Sequence, residues 1–341
     1  MSVCVAVVGA TGAVGEIMRQ VLVEHDFPFS TIKFLASERS AGKAIDFKGK
    51  RYTIEPIRPE AFAGVQVVLS STPASVSRET SPMAAKAGAI VVDNSSAWRM
   101  DPDVPLVVPE VNPDVLKKIP KGIVANPNCS TIQMVVALKP LHDLARIKRV
   151  VVSTYQASSG KGAKGVYELD AQITAIGKGD KVPPVTAHAA QLAGNVLPHD
   201  WKLGEDGYSE EEIKMIKETK KIMGDDTIQV SPTTARVPVR TGHSEAINLE
   251  FVNPITPEQA RAALRKAPGV IVLDDYAKGE VPLALTCVGR DETFVGRIRR
   301  DPTVPHGLNL WVVSDNLRKG AATNAVQIAE VLVARGWLPK K

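Results

Sequence analysis

The chain has 341 residues, 44% hydrophobic and 23% charged, with a net charge of +5, a length that suits about two domains with a sizeable core in each. Its basic residues are spread without a long run, which speaks against nucleic acid as a partner, and no apolar stretch approaches the roughly 18 residues of a membrane span. Cys4, Cys129 and Cys287 are odd in number and far apart, and no basic residue precedes Arg19; both features argue against a secreted disulfide framework and for a cytoplasmic protein.

Residues 3–8 read as a buried strand running into Gly9-Ala10-Thr11-Gly12-Ala13-Val14-Gly15, with a helix over 16–25 behind it. Glycines let the chain turn sharply and let a phosphate come close, and a helix start offers N–H groups and a positive dipole end. The GxxGxxG spacing is one residue longer than GxGxxG, but it stands between strand and helix as a dinucleotide site requires. Without a ligand it is simply a tight turn. A second strand over 31–36 ends in Ala36-Ser37-Glu38-Arg39-Ser40. Ser37, Arg39 and Ser40 offer donors for a 2′-phosphate and favour NADP, whereas Glu38 could hold a ribose hydroxyl as carboxylates do in NAD sites. The bland alternative is a solvated charge cluster. Strands over 65–70 and 89–93 with a helix over 75–87 between them, a short helix over 113–118 and a strand over 122–126 complete the first half. This rhythm predicts βαβ units and a mostly parallel sheet.

That last strand gives way to Asn126-Pro127-Asn128-Cys129-Ser130-Thr131 and a helix over 131–141. A thiol at a helix start sees the positive dipole end, which favours the nucleophilic thiolate, and Asn128 could donate an N–H to an oxyanion beside the sulfur. The alternative is a small buried residue at an N-terminal turn. Cys4 and Cys287 lie in apolar, strand-like sequence and read as inert core residues.

The second half has longer strands and fewer helices. Strands are expected over 149–156, 227–239, 245–252, 270–273, 294–299 and 308–313, and helices over 165–177, 209–223, 256–266 and 321–335. This predicts an α+β domain with one antiparallel or mixed sheet. The Pro- and Gly-rich segment 178–207 reads as a long ordered loop or a subunit-contact arm. A reactive thiolate needs a base among the histidines. His25 and His142 fall on helices, and His188, His199 and His306 sit in Pro-rich loops. His243 follows a strand and a glycine that permits a sharp turn, but spacing alone cannot bring it to Cys129.

Taken together, GATGAVG, ASERSAG, DNSSAWRM, VVPEVN, NPNCST, STYQASSG and ARVPVRTGHSE resemble aspartate-semialdehyde dehydrogenase of the bacterial type along nearly the whole chain. The resemblance implies an α/β protein with a Rossmann-like NADP-binding domain over 1–127, completed by 316–341, and an α+β catalytic and dimerisation domain with a mixed sheet over 128–315. It implies NADPH-dependent reduction of β-aspartyl phosphate to aspartate β-semialdehyde and phosphate, for lysine (diaminopimelate), threonine, methionine and isoleucine biosynthesis. Cys129 would form a thioester, His243 would be the acid/base, and Gln156 would position substrate beside the thiol. Arg236 would grip the substrate α-carboxylate, Glu218 its α-ammonium, and Arg99 and Lys221 the phosphate, with Lys220 the alternative to Lys221. Read by itself, the Glu218–Lys221 spacing is more often a solvated ion pair. Thr11, Gly12, Ala13 and Val14 would hold the pyrophosphate, and Ser37, Arg39 and Ser40 the 2′-phosphate. Thr72, Ser159, Gly160 and Asn316 would line the rest of the cofactor. No metal is implied, and the assembly would be a homodimer or a pair of dimers. A related reductase of N-acetyl-glutamyl phosphate would keep Cys129 and His243, but Arg236 with Glu218 favours a free α-amino acid.

Overall fold

The computed structural model describes residues 3–198, 203–204 and 206–339, so His199 lies outside the described residues. The chain divides into two units, Met1–Pro127 with Ala321–Lys341, and Asn128–Gly320. The second crossing thus falls at 320/321, and Asn316 belongs with the second unit.

The first unit contains β1 (Val3–Val8), α1 (Ala13–Glu24), β2 (Phe29–Ala36), β3 (Ala44–Phe47), β4 (Lys50–Thr53), β5 (Glu55–Pro56), β6 (Val67–Ser70), α2 (Ala74–Lys86), β7 (Ile90–Asp93) and β8 (Ile123–Ala125). Six strands form one sheet in the order β5-β2-β1-β6-β7-β8, and every pairing in it is parallel. All six residues of β1 are buried, as a strand covered on both faces requires. The strand order reverses at β1, so the glycine turn after Val8 stands at the switch point where open α/β sheets hold ligands. Helix α1 starts at Ala13, three residues before the expected 16, because Gly12 is already its extended N-cap. The hairpin β3–β4 was not expected, since its strands are too short to show a period. The C-terminal helix Thr323–Ala334 packs Ala325, Val326, Ile328, Ala329 and Leu332 into this unit's core.

The second unit contains α3 (Cys129–Ala145), β9 (Ile147–Gln156), α4 (Ala163–Lys178), β10 (Leu197–Pro198), α5 (Glu210–Met223), β11 (Gln229–Arg236), β12 (His243–Phe251), α6 (Pro257–Lys266), β13 (Val270–Val272), α7 (Ala284–Cys287), β14 (Thr293–Asp301) and β15 (Gly307–Ser314). Its seven-stranded sheet runs β10-β11-β9-β12-β15-β14-β13. The β11–β9 and β13–β14 pairs are parallel and the others antiparallel, so the sheet is mixed. Met134, Leu138 and Leu141 of α3 are fully buried against it, each contributing about 1.5–3 kcal/mol toward holding that helix in register. Cys287 lies in the single-turn α7 rather than in a strand, and Cys4 lies in β1; both thiols are buried. Within the arm, Leu192, Ala193 and Leu197 pack on Leu169 of α4. Among the described residues no helix is long and apolar enough to cross a membrane, and no cluster of three metal-ligating side chains occurs.

Candidate active site

Sheet register brings the distant motifs of the second unit to one edge. Because β9 and β11 are parallel, their last residues Gln156 and Arg236 stand side by side. Because β12 is antiparallel to β9, it begins where β9 ends, with Ser244 opposite Tyr155. Gly242 adopts φ +95° just before His243, and the ring is fully buried.

Helix α3 begins at Cys129 itself, and Asn128 is its N-cap. The sulfur lies 3.3 Å from His243 Nε2. On the other side of the ring, the Ala157 backbone N–H donates to Nδ1 at 3.0 Å. A backbone amide has no acceptor role at nitrogen, so Nδ1 must carry the lone pair, and the proton of the neutral ring sits on Nε2, facing sulfur. The local geometry therefore favours a neutral imidazole that donates toward an anion at Cys129. An imidazolium would set two N–H groups against each other at Nδ1. Two residues further along the same face of β12, Glu245 is completely buried, and burial pushes its carboxyl well above the usual range.

Asn128, expected as an oxyanion donor, is held in the structure as a helix cap. Its Oδ1 accepts the Ser130 and Thr131 amides, its Nδ2 donates to Glu211, and its backbone N–H donates to Glu218. Two carboxylates thereby fix the cap, and the cap fixes the residue bearing the thiol. Gln156 turns its amide nitrogen to Ser130 Oγ at 2.9 Å and to Glu211 at 3.3 Å. Glu218 is 1% exposed, so it is not half of a solvated ion pair; Lys220 and Lys221 are both half-buried on α5. The Arg236 guanidinium is buried and donates to the Ala157 carbonyl at 2.7 Å. A Cβ on Gly160 would stand 2.5 Å from Arg236 Nη1, so a side chain there would displace the guanidinium. Ser159 and Asn316 exchange side-chain hydrogen bonds, and Asn316 Oδ1 also accepts the Gly242 amide.

Several residues of this site gave no signal in the sequence. Ala157 acts through its backbone, and Glu211 is one of three consecutive acids in the first turn of α5. A Cβ on Gly320 would lie 2.9 Å from Cys129 Cβ. Gly320 belongs to a wide π-helical turn, Arg318–Ala322, a deformation that often marks functional sites; the glycine is needed there because the thiol-bearing residue packs directly on it.

The first unit carries the other candidates. Gly9 has φ +79°, and a Cβ on it would meet the Ser71 carbonyl oxygen at 2.3 Å; a Cβ on Gly15 would meet the Gly9 carbonyl oxygen at 2.3 Å. The turn therefore admits only glycine at both places. Thr11 and Gly12 are exposed, and Gly12 caps α1 without a side chain, leaving Ala13 and Val14 in the helix's opening turn. Ser70 Oγ and Thr72 Oγ1, at and just beyond the end of the neighbouring β6, are buried without a hydrogen-bond partner among the described residues. A bare helix start beside two orphaned hydroxyls fits the pyrophosphate of a dinucleotide. Ser37 and Arg39 are exposed and Ser40 half-buried, in a turn closed by the Ser40 amide on the Ser37 carbonyl. Glu38 pairs with Arg58 at 2.9 Å. In the DNSSAWRM stretch, Asp93 accepts from Ser77, Ser81 and Ser95, while Trp98 donates to Ser77. Arg99 is buried and donates to the Asn126 and Asn94 carbonyls.

Known proteins of the same architecture match throughout. The semialdehyde dehydrogenase NAD-binding domain matches residues 4–119, and the semialdehyde dehydrogenase dimerisation domain matches residues 138–319. An aspartate-semialdehyde dehydrogenase from Aquifex aeolicus (strain VF5) is 55% identical over 98% of this chain and 99% of its own. Aspartate semialdehyde dehydrogenase II from Vibrio cholerae, solved in complex with ASA, superposes with a TM-score of 0.95 at 44% identity, covering 98% of this chain and 99% of its own. The enzyme from Candida albicans, solved with NADP, gives a TM-score of 0.78 at 28% identity over 98% and 99% of the two chains.

Proposed function

This chain belongs to the aspartate-semialdehyde dehydrogenase family, and on that premise we propose that it reduces β-aspartyl phosphate to aspartate β-semialdehyde, with release of phosphate, at the Cys129–His243 pair. The observation that carries this reading is the 3.3 Å contact between Cys129 Sγ and an imidazole Nε2 whose proton is placed there by the Ala157 amide on Nδ1. The thiolate, favoured by the α3 N-terminus, attacks the acyl carbon; a C–S bond forms, the C–O bond to phosphate breaks, and a thioester remains. A reduced nicotinamide, when bound, supplies the hydride that this thioester accepts. His243 then offers its Nε2–H as a hydrogen bond to the oxyanion left on the thiohemiacetal carbon, without giving up the proton; as that oxyanion re-forms the aldehyde C=O, the C–S bond breaks, and the sulfur leaves as thiolate and takes up the hydrogen bond again. Gln156 holds the substrate beside the thiol. Arg236 grips the α-carboxylate with two N–H groups, Glu218 faces the α-ammonium, and Arg99 and Lys221 face the phosphate.

The same reading makes the first unit the NADP-binding domain and the second the catalytic and dimer-forming domain, in a homodimer. Thr11, Gly12, Ala13 and Val14 hold the pyrophosphate. Thr72 in the first unit and Ser159, Gly160 and Asn316 in the second are the remaining cofactor residues. The preference for NADP rests on Arg39, which has no ion pair among the described residues, and on Glu38, which is already engaged by Arg58. The reverse reaction tests the whole assignment: aspartate semialdehyde should reduce NADP only when phosphate is present, and no phosphate dependence overturns it. Arg39→Ala should raise KM for NADP about ten-fold or more with KM for NAD unchanged, as loss of a charged hydrogen bond to phosphate implies; equal effects on both cofactors would remove Arg39 from the 2′-phosphate pocket.

A further inference from the structure

A second buried histidine, His188, lies outside the site described above. His188 Nδ1 stands 2.8 Å from Glu168 Oε1, and His188 Nε2 stands 3.0 Å from Ser158 Oγ. Glu168 lies on α4 and also accepts the Thr186, Ala187 and His188 amides and the Thr186 hydroxyl. Burial opposes its charge, but the Ala187 and Thr186 amides and the His188 ring outweigh burial and hold its carboxyl at about 2. Glu168 is therefore ionised, so Nδ1 of His188 is the donor to it, and Nε2 is left for the Ser158 hydroxyl. Serine, histidine and glutamate in this order have the geometry of a nucleophilic triad, but Ser158 is fully buried. A Cβ on Gly165 would lie 2.7 Å from the Ser158 carbonyl oxygen and 3.2 Å from its Oγ. No substrate reaches that hydroxyl.

Ser158 instead stands at the centre of a turn whose consecutive residues touch the site. Ala157 donates to His243 Nδ1 and accepts from Arg236. Ser158 donates its amide to the Val239 carbonyl. Ser159 binds Asn316. We propose that Glu168, His188 and Ser158 form a buried positioning relay which clamps the 157–159 turn, so that the Ala157 amide keeps the His243 proton on Nε2 and the Ala157 carbonyl holds Arg236 in place. A fully satisfied buried polar chain is rigid, because every alternative leaves a group unpaired. The proposal rests on the roles given above to Cys129 and His243. Among the described residues, Cys129, Gln133, Arg236 across Gly160, and Glu245 stand around the His243 ring and its strand; the relay reaches the ring through the Ala157 backbone.

The test uses the full chain as wild type, Ser158→Ala and His188→Gln. Nitrogen NMR of histidine-labelled protein between about pH 6 and 8 reads the His243 ring, with His243→Gln assigning its signal. The wild-type ring should stay protonated on Nε2 alone. Both variants should show a mixture of tautomers or a protonated Nδ1 as pH falls, and kcat should drop about ten-fold. Lower melting temperatures with an unaltered His243 spectrum and unaltered kcat would overturn the proposal and leave the relay a purely structural device. Ser158→Ala removes a single oxygen and gives an answer even if His188→Gln does not fold. The spectrum needs no substrate, so a wild type without phosphate-dependent turnover would overturn the functional reading while the spectrum still judged the relay.

Discussion

Cys129→Ala is expected to lower kcat by about 10⁴-fold or more while NADP binding, followed by fluorescence titration of the reduced cofactor, stays within about two-fold of wild type. The reason is local. Removing the sulfur removes the atom to which the acyl group is transferred, and the oxyanion and substrate contacts that remain cannot substitute for a nucleophile. The helix cap is untouched, since Asn128 Oδ1 bonds the Ser130 and Thr131 amides rather than the side chain of residue 129. The glycine turn of the first unit does not depend on that side chain either. Alanine also fits, because the Gly320 backbone already packs against Cβ and not against the sulfur alone. Turnover within about ten-fold of wild type would end the nucleophile assignment. A proportional loss of cofactor binding would show that the substitution had disturbed the fold instead.

What the sequence made legible was whatever has a period or a special backbone requirement. The parallel sheet of the first unit announces itself in the wholly apolar β1 followed by Gly9 and Gly15, because each glycine answers a steric demand of about 2.3 Å. The junction at Cys129 was readable because an apolar strand gives way there to the apolar spacing of a helix, although that helix starts at Cys129 and not at the expected 131. The pairing of Cys129 with His243 was not readable from local pattern. It follows from strand order, namely that β9 runs parallel to β11 and antiparallel to β12, and only the family resemblance supplied it beforehand. The capping role of Asn128 was not read because an asparagine offers both a donor and an acceptor, and the partners Glu211 and Glu218 come from α5, over 80 residues on. His188 lies in a loop, as its Pro-rich setting indicated, but nothing in that stretch shows that the loop folds around the Glu168 carboxylate.

His243→Asn and His243→Gln should differ, and the difference tests how the imidazole works. The amide nitrogen of glutamine reaches the position of Nε2, whereas asparagine ends at the position of Nδ1. Asparagine can therefore still accept the Ala157 amide but leaves sulfur without its donor, and kcat should fall about 10²–10⁴-fold. Glutamine keeps a donor toward sulfur and the substrate oxygen but leaves the Ala157 amide unpaired, so the fall should be nearer ten-fold. Steady-state kcat in the phosphate-dependent assay, with melting temperatures to confirm folding, separates the two. If both variants lose activity equally, a hydrogen bond at Nε2 is not enough and the ring must take up and release a whole proton. That outcome would require the Ala157 amide to leave Nδ1 during turnover. The ordering follows directly from the ring's two contacts: one nitrogen is committed to a backbone donor, so the other can serve catalysis only as the donor itself.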